Sequence, residues 1–297
     1  MAMRNTDFAV FILTHGRPDR VDTYKSLTRA GYTGKIYFVI DNEDKDAERY
    51  YQNFGDSVIM FDKAAIAETF DEGDNFGDRR AVIYARNACF DIARNLGITY
   101  FMEFDDDYTE FLYRINSKRE YPNTHYIVKT KLDELFDLLI DYYKSVNAKS
   151  IAMAQGGDFI GGRENDFPYS DRRRKCMNTF ICSTERPFQF VGRINEDVNT
   201  YTWLQSLGNL FYTVPFTSIL QRVSQSNTGG MTEMYLDSGT YIKSFYTVMY
   251  QPSSVTIEMM NSRHPRLHHS IKWDNTVPCI ISEQYRKSPV IQAVSDE

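Results

Sequence analysis

The chain has 297 residues, a formal net charge of −6 and 14% aromatic residues, with 21 Tyr and 20 Phe. That length suits one large α/β domain or two smaller ones with a sizeable core. The acidic balance excludes a global drive toward nucleic acid or a membrane surface, so such a partner needs a local basic patch. Cys89, Cys176, Cys182 and Cys279 are scattered and form no C-x-x-C pair, which argues against a zinc site and for reduced thiols. The apolar start Phe8 to Leu13 is too short to span a bilayer and lacks a signal-peptide cleavage pattern, so a cytoplasmic setting without a membrane partner is expected.

Taken in chain order, FAVFIL (Phe8 to Leu13) reads as a buried strand and THGRP (Thr14 to Pro18) as a loop. Pro18 and Asp19 suit a helix start, and Gly31 suits its end. IYFVI (Ile36 to Ile40) is a second strand ending in Asp41, Ala47 to Asn53 a helix, and VIMF (Val58 to Phe61) a third strand. This βαβαβ order predicts a parallel Rossmann-type sheet with right-handed crossovers. Lys63 to Arg80 reads as a long charged loop over the site, followed by a helix from Asp78 to Asn95. Lys131 to Val146 carries the clearest helical period, with Leu132, Leu135, Phe136, Leu139, Ile140 and Tyr143 on one face as core.

Strands are expected at Ile151 to Ala154, Phe180 to Cys182, Gln189 to Val191 and Leu210 to Val214, with a helix after Asn195-Glu196-Asp197. Beyond Ser224 the chain turns more polar, with a helix from Thr240 to Tyr250 and a strand at Val255 to Met259. The expected fold class is α/β: a mixed, mainly parallel sheet flanked by helices. One domain, residues 1–225, with a C-terminal extension, residues 226–297, packing back on it is the expected organisation.

The centre of the chain is TYFMEFDDDYTE, Thr99 to Glu110. An aromatic strand stops in Asp105, Asp106 and Asp107, three adjacent carboxylates that repel one another beside a core. A hard divalent cation bound through oxygen, Mg²⁺ or Mn²⁺, is the natural counter-charge. Open α/β sheets bind ligands beyond the carboxyl ends of their strands, so Thr14, Asp41 and Asp105 should converge. An acidic loop is the plain alternative. Arg17 and Arg20 suit phosphate, and Asp41 suits a ribose or base. THGRPDR is not G-x-G-x-x-G and no Walker A pattern occurs, which excludes NAD, FAD and a P-loop ATPase.

Arg86 and Asn87 read equally as a solvated helix face or as part of the nucleotide crevice. Glu196 and Asp197 cap a helix or supply a general base for an acceptor hydroxyl. His264, His268 and His269 lie among Arg263, Arg266 and Lys272. They read as a surface loop, as a metal ligand completing a shell begun at Asp107, or as a site for diphosphate or a DNA backbone.

The order of these parts is similar to glycosyltransferases of the GT-A fold. FILTHGRPDR, YARNACFDIARNLGITYFMEFDDDYTEF, GRINEDVNTYTWLQSLG and TGGMTEMYLDSGTYIKSFY resemble the phage TET/JBP-associated glycosyltransferases, relatives of the base J glucosyltransferases. The resemblance runs roughly from Phe8 to Trp273. It implies an inverting, Mn²⁺- or Mg²⁺-dependent transfer from a UDP-sugar, carrying glucose or a pentose such as arabinose, to a hydroxylated base of the 5-hydroxymethylcytosine type in phage DNA. Asp105 and Asp107 would be the Asp-x-Asp motif, Asp107 and His269 (or His268) metal ligands, and Asp105 a metal or ribose contact. Thr14, Arg17, Asp41, Arg86, Asp105 and Asp106 would hold the nucleotide sugar, and Asp197 with Glu196 would stand at the base position. Arg172, Arg173, Arg174 and Lys175 would grip the acceptor, and the setting would be the host cytoplasm. A protein or glycan acceptor, a nucleotidyltransferase and a non-catalytic module are the competing readings.

Overall fold

The computed structural model describes residues 3–115, 125–155, 158, 175–222, 242–260, 265–276 and 281–283. Its centre is a mixed nine-stranded sheet flanked by helices. Strands β1 (Phe8–Leu13), β2 (Lys35–Asp41), β3 (Val58–Phe61) and β4 (Tyr100–Asp105) are parallel and lie in the order β3-β2-β1-β4. The sheet continues through β8 (Phe180–Ser183), β7 (Ser150–Ala154), β9 (Phe211–Gln221), β5 (Tyr108–Tyr113) and β6 (Tyr126–Ile127). β8 runs antiparallel to β4, while β7 and β9 are again parallel. The expected α/β class and the mixed sheet are what the chain forms.

FAVFIL is apolar at every position because both faces of β1 are covered. Phe8, Val10 and Ile12 pack with Leu27 of α1 (Asp22–Arg29) and with Phe136 and Ile140 of α5 (Leu132–Ser145). Ala9, Phe11 and Leu13 pack on the opposite face with Ile83, Cys89 and Ala93 of α4 (Ile83–Asn95) and with Val198 and Tyr201 of α6 (Glu196–Ser206). Alternate residues of a strand point to opposite faces, so a central strand between two helical layers has no solvent side.

Several local expectations are corrected. Lys63 to Arg80 is not loop throughout: α3 (Lys63–Ala67) forms at its start, where the Asp62 side chain accepts the Ala65 N–H at 3.0 Å. An Asp N-cap before KAAIA is a sufficient local reason for a helix turn. α4 begins at Ile83, not Asp78, and α1 at Asp22, after a turn closed by Arg20 N to Arg17 O. Gln189 to Val191 is not a strand; Phe190 instead exchanges hydrogen bonds with the Asn87 side chain of α4. β9 runs past Val214 through Pro215, where its register with β7 shifts, the sheet context in which proline is tolerated.

The basic 266–271 segment is strand β11 (Arg266–Ile271), paired antiparallel with β10 (Val255–Met260), and not a loop. Between α6 and this hairpin lies α7 (Ile242–Tyr250), which packs on both, and α8 (Trp273–Thr276) follows. No described helix is long and apolar enough to cross a membrane.

Candidate functional site

β1 pairs with β2 and β4 so that Leu13 lies opposite both Val39 and Asp105. The carboxyl ends of these strands therefore open side by side, and Thr14, Asp41 and Asp105 share one rim. α4 approaches this rim from one face of the sheet and carries Arg86.

Arg86 is 1% exposed and holds the site together. Its Nη2 donates to Asp105 Oδ1 at 3.0 Å, and its Nε donates to Glu196 Oε1 at 3.1 Å. Nη1 lies 3.6 Å from Glu103 Oε2, and the guanidinium carbon sits 5.0 Å from the Phe180 ring centroid. One cation thus serves three carboxylates from β4 and α6, with Asp197 adjacent. Burial pushes the Glu103 carboxyl up to about 8 and Glu196 up to about 7, against the pull of Arg86. Asp197 is also raised, by burial first.

Glu196 and Asp197 are presented by a turn with little freedom. Asn195 is left-handed at φ 63°, and its amide donates to Thr247 Oγ1 on α7. Asn199, one helical turn further on, donates to the carbonyls of Val191 and Ile194. Gly192, at φ +77°, has no room for a side chain: an added Cβ would fall 2.3 Å from the Asn199 amide nitrogen. Neither reading of the pair is pure. The Asp197 carboxylate accepts the first-turn Val198 N–H at 2.7 Å, whereas Glu196 turns to Arg86.

The three aspartates after β4 have different surroundings. Asp105 points to Arg86. Asp106 is 3% exposed, accepts from Thr14 Oγ1 at 2.7 Å and pairs with Arg17 Nη1 at 3.2 Å. Tyr50 joins Thr14 Oγ1 at 2.7 Å and accepts the Arg17 backbone N–H at 2.8 Å. Asp107 lines a cleft with Arg17, Arg20, Asp22 and Arg222, and its buried Oδ1 has no hydrogen-bond partner among the described residues. Burial, then Asp105 and Asp106, pushes Asp107 up to about 7. An orphaned, disfavoured carboxylate oxygen beside a second carboxylate fits a hard divalent cation. Mg²⁺ in particular is held by one or two carboxylates plus substrate phosphates, so Asp105 and Asp107 are the residues that would hold such an ion. Among the described residues no three His, Cys, Asp or Glu side chains form a ready ligand set.

Asp41 is 5% exposed and well partnered. His15 Nδ1 lies 2.7 Å from its Oδ2, and Lys63 Nζ lies 3.3 Å away. Its pKa is lowered: the His15 hydrogen bond and Lys63 overcome the opposing effect of burial, which is the largest contribution. His15 is raised in turn, chiefly by its bond to Asp41. Asp44 accepts the Gly16 N–H at 2.8 Å, fixing the THGRP loop above this corner. His15, Asp44 and Lys63 were not singled out from sequence. The signal for His15 was its place between Thr14 and Arg17; for Lys63 no sequence signal separates it from surface lysines.

His268 and His269 lie on β11 with ring centroids 4.2 Å apart, and each Nδ1 is buried with no hydrogen-bond partner among the described residues. His268 is pushed down to about 4 and His269 to about 3, by burial first and then by neighbouring positive groups. Lys175 Nζ pairs with Asp158 at 3.2 Å. Arg172, Arg173 and Arg174 lie outside the described residues, as do Cys279 and His264.

The structure therefore brings Thr14, Arg17, Asp41, Arg86, Asp105, Asp106, Asp107, Glu196 and Asp197 together around the carboxyl ends of β1, β2 and β4 and the start of α6. His269 joins no three-residue ligand group with Asp105 and Asp107 among the described residues.

A comparison with curated proteins returned no match. Among solved structures, glucosyl-3-phosphoglycerate synthase from Mycobacterium tuberculosis, in complex with Mn²⁺, UDP and phosphoglyceric acid, is similar at 10% identity and a TM-score of 0.43, covering 89% of this chain and 86% of that one. The TET-Associated Glycosyltransferase family profile matches residues 8–230, most of the chain and all of the elements that build the crevice. The chain belongs to the TET-associated glycosyltransferase family and is a glycosyltransferase.

Proposed function

We propose that this glycosyltransferase moves a sugar from a UDP-sugar to the hydroxyl of a modified base of the 5-hydroxymethylcytosine type in DNA, with Mg²⁺ or Mn²⁺ and inversion at the anomeric carbon. The donor sugar is a hexose such as glucose or a pentose such as arabinose. The observation that carries the reading is the Arg86 cluster, which sets strand-end and helix-start carboxylates against one cation at the crevice.

In this reading Thr14, Arg17, Asp41 and Arg86 position the nucleotide, Asp41 at the nucleoside and Arg17 toward the diphosphate. Asp105 and Asp107 hold the metal, which when bound offsets the charge developing on the departing diphosphate. Asp106 holds Thr14 and Arg17 in place. Asp197 takes the proton of the acceptor hydroxyl as that oxygen bonds the anomeric carbon, and the bond to the diphosphate oxygen breaks with its electron pair leaving on UDP. Glu196, fixed by Arg86, keeps the helix start at the crevice. A base near neutral pH combines sufficient basicity with availability, and burial in this crevice acts in that direction. Residues 1–225 would carry donor binding and catalysis, the C-terminal extension, residues 226–297, would serve the same site, and Arg172 to Lys175 would contact the acceptor. A base within duplex DNA reaches such a crevice only when it is flipped out of the stack.

The test is a donor screen with Mn²⁺ or Mg²⁺, several UDP-sugars, and DNA with or without 5-hydroxymethylcytosine, read by mass spectrometry of digested nucleosides. A sugar adduct on the modified base, lost in Asp107→Ala, is expected. UDP release with a protein or glycan acceptor and no nucleoside adduct would move the acceptor; pyrophosphate release when UTP and a sugar 1-phosphate replace the UDP-sugar would make the chain a nucleotidyltransferase.

A further inference from the structure

The start of α6 is held from two directions. Arg86 of α4 grips Glu196 from one of them. From the other, the entry turn of residues 191–195 is bound by residues 71–78, part of the loop between α3 and α4. The contact begins in the backbone: Gly192 N–H donates to the Asp71 carbonyl and Arg193 N–H to the Glu72 carbonyl, each at 2.8 Å. The Arg193 side chain then returns to the same loop. Its Nε donates to Asp74 Oδ2 at 2.8 Å, its Nη2 lies 2.8 Å from the same oxygen, and its Nη1 lies 3.5 Å from Asp78 Oδ2.

α7 closes the arrangement. The Tyr246 hydroxyl accepts from Arg193 Nη2 at 3.2 Å and donates to Asp74, and the Tyr250 hydroxyl donates to the Asp71 carbonyl at 3.0 Å. Gly73 is left-handed at φ +81°, and an added Cβ would fall 2.9 Å from the Tyr250 hydroxyl and 3.3 Å from the Tyr246 ring. Loop and helix therefore pack with no room between them. Ile194, fully buried, packs with Tyr246 on the same side.

Arg193 is 4% exposed, so its charge is balanced by these groups and not by water. Charge-assisted hydrogen bonds are stronger than neutral ones, and a planar guanidinium makes them directional. What they direct here is the path of the chain into α6. The left-handed Asn195 lies midway between Arg193 and Asp197. Such a residue persists only where its surroundings over-determine its conformation. The Arg193 contacts on one side, and the Asn195 amide on Thr247 Oγ1 on the other, supply that constraint. A turn free to rotate would move the Asp197 carboxylate, and a misplacement of about 1 Å can cost about a hundredfold in rate.

We propose that Arg193 is a positioning residue for Asp197: with Asp74 and Tyr246 it locks the 71–78 loop and α7 across the entry turn of α6, and so sets where the base stands. The inference rests on Asp197 acting as the base. Arg193 acts through the turn and not on the reacting atoms.

The experiment is a double-mutant cycle in kcat. UDP release from UDP-glucose and from UDP-arabinose is followed with Mn²⁺ and a duplex containing 5-hydroxymethylcytosine, for the full chain, Arg193→Gln, Asp197→Asn and the double variant. Arg193→Gln is expected to lower kcat about ten- to a hundredfold and to leave UDP affinity, measured by calorimetry, within about twofold. In the Asp197→Asn background the same change should cost less than about twofold, because residues that act as a unit do not add. Tyr246→Phe, which keeps the ring and removes one hydroxyl of the lock, should lose less and be equally silent beside Asp197→Asn. Arg193→Lys, which keeps a charged contact to Asp74, should recover part of the rate. Amide exchange gives a readout independent of the donor: residues 189–199 should exchange faster in Arg193→Gln while β1 and β4 keep their protection.

Losses that multiply with Asp197→Asn, or a fall in UDP binding that matches the fall in kcat, assign Arg193 to the fold alone and overturn the proposal. Wild-type kcat in Arg193→Gln, or unchanged exchange at residues 189–199, overturns it as well. Asp197→Asn at the wild-type rate overturns the base itself, and the positioning role with it. A wild-type chain that releases UDP from neither donor overturns the transfer reading on which that base rests, an outcome visible before any variant is compared.

Discussion

The two corners of the crevice treat their carboxylates in opposite ways. At the β2 corner, Asp41 has His15 and Lys63 in contact and is held below the usual carboxylate range. At the β4–α6 corner, Glu103, Asp105 and Glu196 share one guanidinium, and Glu103 and Glu196 are pushed up to about 8 and about 7. Both corners are buried, so burial alone does not distinguish them. The ratio of cations to anions does: near parity at Asp41, one against three around Arg86. A carboxylate with its own partner is a fixed structural charge. Glu103 and Glu196, buried around a shared partner, are held closer to their neutral forms.

The largest effect should come from removing the shared cation. Arg86→Met leaves Glu103, Asp105 and Glu196 without a counter-charge, and losing one partner of a buried ion pair costs about 3–5 kcal/mol. Urea denaturation at pH 8 should show that loss, with partial recovery in Arg86→Met/Glu103→Gln. If Arg86→Met were as stable as wild type, the cluster would not hold the fold together.

Asp197→Asn should leave UDP binding in place and reduce kcat by about 10²–10⁴, the usual range for a general base. Glu196→Gln keeps the Arg86 contact through its amide oxygen and should lose less. Equal losses in both variants would remove the distinction drawn between the two carboxylates.

The pH dependence separates the corners by sign. A raised carboxyl, such as Glu103, binds more protons folded than unfolded, so its contribution is complete below about pH 4.5 and is lost as pH rises toward about 8. Asp41 is lowered, so its contribution is present at neutral pH and is lost in acid, as pH falls through its folded pKa. Wild-type stability should therefore fall between pH 5 and pH 8, a fall that Glu103→Gln reduces and Asp41→Asn does not. Activity should run the other way, rising with pH as the base Asp197, raised by burial, and its raised neighbour Glu196 deprotonate. A rate profile already flat above pH 5 would contradict this.

The smallest effect belongs to the well-partnered loop of β1. Tyr50→Phe removes one hydroxyl that joins Thr14 Oγ1 and accepts the Arg17 N–H, and should cost about 1–2 kcal/mol in thermal or chemical unfolding. Its catalytic loss should be confined to donor KM, because the hydroxyl touches loop atoms and not Asp197.

Much of this was legible in the chain. FAVFIL, IYFVI, VIMF and YFMEFD are apolar runs of strand length between turn residues, and their alternation with helices fixes a parallel half-sheet whose strand ends must meet. That is why Thr14, Asp41 and Asp105 could be placed together from spacing alone. DDDYTE also announced a charged strand end, because three adjacent carboxylates need external compensation wherever they lie. The family followed from longer stretches that carry whole motifs, such as YARNACFDIARNLGITYFMEFDDDYTEF, and the profile match over residues 8–230 agrees with that resemblance.

What the chain alone left open was decided by distances of about one helix or one strand across the fold. Sequence could not show that Asp106 turns to Thr14 and Arg17 while Asp107 faces the cleft, because adjacent side chains diverge according to the backbone turn after β4. Nor could it tell whether Arg86 is solvated or central, since its partner Glu196 lies 110 residues away. The basic RLHHSI segment looked like a loop because its strand character depends on pairing with VTIEMM, a contact no local pattern encodes. Elements and their order are set by local periodicity and turn chemistry. Which charge is paired, and which remains available for chemistry, is set by long-range packing that brings together residues far apart in the chain.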